Sequence, residues 1–190
     1  MKIKNMILIS MFAALSAAGA FIKIPMPFCP ITLQILFTTL AGVLLGGRDG
    51  AFSVGIYVLL GLAGVPVFTG GGGISYILHP TFGFLIGFII GAYVTGKICH
   101  SGKPTMKRLI FGSLAGYIPI FLIGTLYDAA ITFLYLKSDA AVFMVIFQCL
   151  LPLTWDVFLC ILTAFLGKRL IPIIKNNQET ERDMEKRRKI

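Results

Sequence analysis

Six long apolar segments, separated by short polar breaks, constrain this chain more than any other feature. They cover roughly 5–22, 31–46, 50–66, 81–99, 107–136 and 141–172. The breaks fall at Pro25-Met26-Pro27, Gly46 to Gly50, Thr69 to Gly73, Ser101 to Pro104 and around Lys137-Ser138-Asp139. Apolar runs of about 20 residues are long enough to cross a bilayer as helices, the form that satisfies its own backbone in lipid. Charged residues are 13% of the chain, against about 25% in soluble domains. That leaves too little polar surface for a soluble fold. The expectation is an all-α polytopic membrane protein with six transmembrane helices. Residues 1–172 would form one membrane domain and 173–190 a polar, mixed-charge tail. The second and third segments are short for a span, so they should tilt little or have neighbouring protein over their ends. The opening "MKIKNMILISMFAALSAAGA" imitates a secretory signal. The chain beyond it is more membrane rather than a secreted domain, so it reads as a retained first span.

Orientation follows from the basic residues of the loops. With the N-terminus in the cytoplasm, fifteen of the 17 Lys and Arg residues fall inside, and only Lys23 and Lys137 fall outside. Both termini are therefore expected in the cytoplasm of a cell whose plasma membrane holds the protein. The net charge of +9 is then mostly a topology signal. No basic stripe is interleaved with aromatics, so nucleic acid is not an expected partner. Anionic lipid is the expected neighbour of the basic tail.

Two ionisable residues fall at membrane depth, Asp128 in "GTLYDAAITF" and Asp156 in "LPLTWDVFLCILTAFLG". A charge there costs about 2.5–3.5 kcal/mol even on the mildest scale, so each needs a reason. One reading is a protonated acid bonded to a neighbouring helix. The other is a carboxylate lining an outward-facing cavity and accepting N–H donors from a ligand. Spans five and six are antiparallel, which allows the two aspartates to share one level. The outer loops suit a lid. "KIPMPFCPITLQ" is stiffened by proline and ends in Gln34. "VPVFTGGGGISYILHPTFG" carries Ser75, Tyr76 and four consecutive glycines whose backbone can fold over a ligand. Its glycines are not a phosphate cradle, because no Walker lysine comes after them. Phe28, Phe68, Tyr76 and Phe82 give these loops an apolar, aromatic character. The candidate substrate-binding residues are Asp156, Gln34, Asp128, Tyr76, Ser75 and Trp155.

Small residues mark helix contacts. Gly83, Gly87 and Gly91 form G-x3-G-x3-G, and Ala13/Ala17 with Ala14/Ala18 form two overlapping A-x3-A patterns. On spacing alone these serve packing within the chain. Cys29, Cys99, Cys149 and Cys160 lack metal spacing and read as small hydrophobes. His79 and His100 have no partner at ligand spacing, so no metal is expected. No nucleophile-base pair, nucleotide motif or cofactor signature appears, and no enzymatic reaction is expected. A paired-aspartate intramembrane protease is the competing class, but neither aspartate lies in a motif resembling one.

The stretch "IPMPFCPITLQILFTTLAGVLLGGRDGAFSVGIYVLLGLAGVPVFTGGGG", continued by "HPTFGFLIGFIIGAY", closely resembles the BioY family. The most specific matches are Pro30 to Gln34, Gly64 to Phe68 and Pro80 to Gly83, within a resemblance over about 5–170. BioY proteins are the biotin-binding S components of energy-coupling factor (ECF) vitamin importers. The resemblance implies six helices, an external vitamin pocket closed by the first loop, a transmembrane coupling subunit and two ATP-binding subunits. It turns Ala13, Ala14, Ala17 and Ala18 into candidates for contact with the coupling subunit. It also implies a P-G-D-x-x-K pattern on the sixth helix, where aspartate and lysine meet the ligand head group. Asp156 matches the aspartate, but Thr154 and Trp155 replace P-G, and Leu159 replaces the lysine. With Asp128 added, a second ligand class stays open: another small vitamin or a biotin precursor, cationic rather than neutral at its head.

Overall fold

A computed structural model describes residues 3–25, 30–135, 150 and 152–188, with backbone alone for Tyr135 and for 175–188. Among the described residues, six α-helices succeed one another, with one short strand pair between the first two. Phe28, Cys29, Lys137, Cys149 and the segment 141–149 lie outside the described residues.

Helix α1 (Ile3–Phe21) buries Ile9, Phe12, Ala13, Ser16, Gly19 and Ala20, a stripe repeating every three to four residues. Strands β1 (Lys23–Ile24) and β2 (Ile31–Thr32) pair antiparallel, with Lys23 opposite Thr32. This hairpin takes 31–32 out of the second apolar segment, so α2 starts later than expected, as Gln34–Leu45. Its 12 residues reach only about 18 Å, and most of them are buried. Gly46 alone, at φ 87°, turns the chain into α3 (Gly47–Leu62). A side chain there would be strained.

After α3 come a glycine-rich loop, a short 3-10 turn (Ile74–Leu78), α4 (Phe82–Cys99) and α5 (Met106–Ala130). A single π turn (Ile131–Tyr135) extends α5. The last helix, α6 (Leu153–Arg188), runs on through the polar tail. Among the described residues, four helical stretches are long and apolar enough to cross a membrane: Ile3–Phe21, Phe82–Cys99, Met106–Leu134 and Leu153–Ile174.

The glycine repeat of α4 packs against α5 of the same chain. A methyl group at Gly87 would stand 2.8 Å from the Ile120 Cα, and one at Gly91 2.6 Å from the Gly116 carbonyl oxygen. Backbones this close require glycine. The largest core cluster joins Tyr57, Phe68, Tyr76, Phe88, Tyr117 and Leu159. Cys99 and Cys160 are buried free thiols.

Candidate functional site

The starts of α2, α4 and α6 converge at one end of the bundle, beside the β hairpin and the glycine-rich loop. Between them lies a cavity of about 50 Å³, partly open to solvent. Pro30, Ile35, Phe84, Leu85, Phe88 and Pro152 supply apolar walls, and Thr32, Gln34, Thr69, Tyr76, Thr81 and Asp156 supply polar atoms.

Each polar group is held by the fold. The Gln34 Nε2 donates to the Tyr57 hydroxyl at 2.8 Å, and Tyr57 donates onward to the Val67 carbonyl at 3.3 Å. The Tyr76 hydroxyl sits 2.9 Å from both Thr69 Oγ1 and Thr81 Oγ1. His79 Nδ1 lies 2.8 Å from Thr81 Oγ1, and its ring stacks on Tyr76 with centroids 4.7 Å apart. Burial lowers the His79 pKa from its usual 6.5. The glycine loop is thus tied down through one tyrosine. Phe68 anchors it further, packing 4.6 Å from Tyr76 between centroids and leaving no room for a Cβ at Gly61.

Asp156 is the carboxylate of the cavity among the described residues. It is only 9% exposed, and its Oδ2 accepts a hydrogen bond from the Tyr117 hydroxyl at 3.1 Å. Tyr117 fixes its depth. Tyr127, near the C-terminal end of α5, lies against Gly83 at the start of α4 and donates to the Ile77 carbonyl. Tyr117 lies ten residues earlier, roughly 15 Å along the helix. Asp156 therefore belongs to the floor of the cavity, whereas Thr32 and Thr69 belong to its rim.

Asp128 is elsewhere. It is fully buried on α5, with its Oδ1 accepting from Thr132 Oγ1 at 3.2 Å across the start of the π turn. It lies three turns above Tyr117 rather than level with Asp156, and the residues lining the cavity do not include it. Ser75 is exposed on the 3-10 turn. Trp155 is 39% exposed and packs on Phe158 instead of facing the cavity. Leu159 is buried in the main core cluster beside Tyr117.

Sequence reading did not single out Thr32, Thr69, Thr81, Phe84, Phe88 or Tyr117. Thr32 and Thr81 lie inside the P-I-T-L-Q and P-T-x-G matches, and Phe84 and Phe88 share a helix face at i, i+4. Tyr117 left no signal, because its partner comes from another helix. On α1 the two alanine pairs divide: Ala13 is buried in the core and Ala17 half-buried beside it, while Ala14 and Ala18 are exposed.

A second cavity, about 310 Å³, lies at the opposite end and is lined by Asn5, Asp49 and His100 among others. Its polar groups turn to the protein: Asn5 donates to Asp49 at 3.2 Å, and His100 Nε2 lies 2.9 Å from the Val43 carbonyl. Among the described residues no cluster of three potential metal ligands occurs.

Comparison with known proteins bears on this arrangement. The sequence profile of the BioY family matches residues 1–176. A probable biotin transporter BioY of Lysinibacillus sphaericus is 46% identical over 176 residues, covering 90% of this chain and 89% of that protein. A biotin transporter BioY of Rhizobium etli is 33% identical over 179 residues, covering 90% and 95%. Among solved structures, the S-component for biotin from an ECF-type ABC transporter superposes with a TM-score of 0.76 at 27% identity, over 89% of this chain and 91% of that one.

Proposed function

The chain belongs to the BioY family, and from that premise we propose that it is the substrate-binding membrane subunit of an ECF-type importer, taking up biotin from outside. It is a transport protein rather than an enzyme. The observation that carries the ligand reading is the floor of the cavity. There a single carboxylate, oriented by Tyr117, ends a space walled by aromatic and aliphatic side chains. The ureido ring of biotin offers two N–H donors, which a carboxylate accepts well. Its thiophane ring and valeryl chain suit the Phe84, Leu85 and Phe88 wall. With Asp128 outside the lining and Asp156 the one carboxylate among the described lining residues, the case for a cationic ligand loses its main support.

In the membrane we place six spans with both termini in the cytoplasm. The described basic side chains support this: Arg48, Lys97, Lys103, Lys107, Arg108, Lys168 and Arg169 gather at the end opposite the cavity, and Lys23 stands alone at the cavity end. Residues 1–172 form the membrane domain and 173–190 the cytoplasmic tail. Import needs an energy source that this chain lacks. A transmembrane coupling subunit and two ATP-binding subunits would supply it, the former meeting the exposed Ala14 and Ala18 face in the plasma membrane of a prokaryote.

Isothermal titration of the detergent-purified chain tests the reading. Biotin should bind saturably at one site, and thiamine, which is cationic, should not. Binding of thiamine with biotin excluded would overturn it.

A further inference from the structure

The cavity holds a carboxylate at its floor and, by the sequence, a leucine where the family pattern expects a lysine. A ligand such as biotin carries its own carboxylate at the far end from its ureido ring. Some group must meet that second charge, and the structure offers one at the rim. Lys23 lies on β1 directly across from Thr32, which lines the cavity. Its Nζ donates to the backbone carbonyl of Thr69, which also lines the cavity. The ammonium is thus held between the hairpin and the glycine-rich loop, where these two segments border the opening. It is exposed, and its hydrogen bond goes to a neutral carbonyl rather than to a carboxylate. The described residues place every other Lys and Arg side chain toward the opposite end. His79, the other basic group nearby, has its ring nitrogen engaged by Thr81.

We propose that Lys23 is the anion anchor of the site: it receives the ligand's carboxylate at the rim while Asp156 receives the ureido N–H groups at the floor, so the ligand enters ring first. This extends the biotin reading and rests on it. It assigns specificity to the two ends separately, with hydrogen-bond acceptance below and positive charge above.

The test compares two ligands on two proteins. Biotin and biotinamide share the ring system and chain, but biotinamide has no negative charge. Lys23→Gln removes the positive charge and keeps an N–H donor for the Thr69 carbonyl. In calorimetry the wild-type chain should prefer biotin, and raising the salt concentration should weaken that preference. Lys23→Gln should lower biotin affinity by about two- to fivefold, the range of a partly exposed ion pair. It should leave biotinamide nearly unchanged, and Lys23→Arg should restore the preference for biotin. Equal loss for both ligands would show that Lys23 only fastens the loop, and no loss for either would show that it is idle; both results overturn the proposal. Failure of the wild-type chain to bind either ligand would instead overturn the biotin reading beneath it.

Discussion

Exchanging Asp156 for asparagine isolates what the floor of the cavity does. The change keeps the side chain's shape, so the walls formed by Phe84, Leu85 and Phe88 need not move. It replaces one acceptor oxygen with an amide that donates. In the native site Oδ2 already accepts from Tyr117 at 3.1 Å, and Oδ1 remains for the ligand. After the exchange the amide can turn its Nδ2 to Tyr117, whose hydroxyl then accepts, and its Oδ1 to the ligand, so the loss is that of the charge on the acceptor. Hydrogen bonds to a charged group contribute about 1.5–3 kcal/mol, and 1.4 kcal/mol is a factor of ten, so biotin affinity should fall by roughly one to two decades. Tyr117→Phe removes only the hydroxyl that steers the carboxylate and should cost less, about three- to tenfold. The two losses should not add: in the Asp156→Asn background, Tyr117→Phe should have little further effect, because residues in one hydrogen-bond network couple. Titration calorimetry on the four proteins of this cycle measures the coupling, with thermal unfolding as the control for folding. Unchanged affinity in Asp156→Asn would refute the assignment and make Asp156 a structural acid. Full additivity would leave the carboxylate in place and show that Tyr117 does not act through it.

Three other outcomes are expected from the same structure. Ala14→Leu or Ala18→Leu should weaken co-purification with a coupling subunit while leaving biotin affinity intact, because both face outward; Ala13→Leu should instead destabilise the chain itself, since Ala13 is only 5% exposed. Gly87→Ala should lower the melting temperature, because its methyl group would meet the Ile120 Cα at 2.8 Å and overpacking costs about 1–3 kcal/mol; an unchanged melting temperature would mean that α4 and α5 are farther apart than described. Burial lowers the His79 pKa below its usual 6.5, so the loose loop takes a proton before the ordered one does, and the stability His79 contributes is present above that pH and lost as pH falls below it. Biotin affinity should therefore decline as pH falls below the usual histidine value of 6.5, and His79→Asn should flatten that decline.

The helices were legible because their signal is bulk apolar content, which no tertiary contact has to supply. Their ends were less so. The start of α2 moved because Ile31 and Thr32 joined the hairpin with Lys23 and Ile24, and both states draw on the same apolar residues. The glycine repeat of α4 announced a close helix contact, but only packing could show that Ile120 and Gly116 of α5 fill it. The site is a harder case. Its lining comes from the hairpin, the loops, the 3-10 turn and the first two turns of three helices, and no local period joins Thr32, Thr69, Thr81 and Asp156.

The two aspartates show where reading by residue cost runs out. Either one in an apolar run needs a compensating partner, and on that ground they are equivalent. What separates them is which partner the fold supplies and whether space remains. Asp128 takes its bond from Thr132 on its own helix, one turn away, and is fully buried. Asp128 is not among the described residues that line the cavity. Asp156 takes its bond from Tyr117, 39 residues away on another helix, and still borders the cavity. A partner brought from so far fixes the carboxyl's direction without enclosing it. The sequence alone cannot express that difference, because it depends on α5 and α6 being packed side by side. It is also why Asp156→Asn should reach the ligand and Asp128→Asn should not: the second substitution alters a hydrogen bond within α5 and should appear in thermal stability alone. Equal losses of biotin affinity in the two variants would place both carboxyls at the ligand and return the site to the more acidic pocket that the sequence suggested.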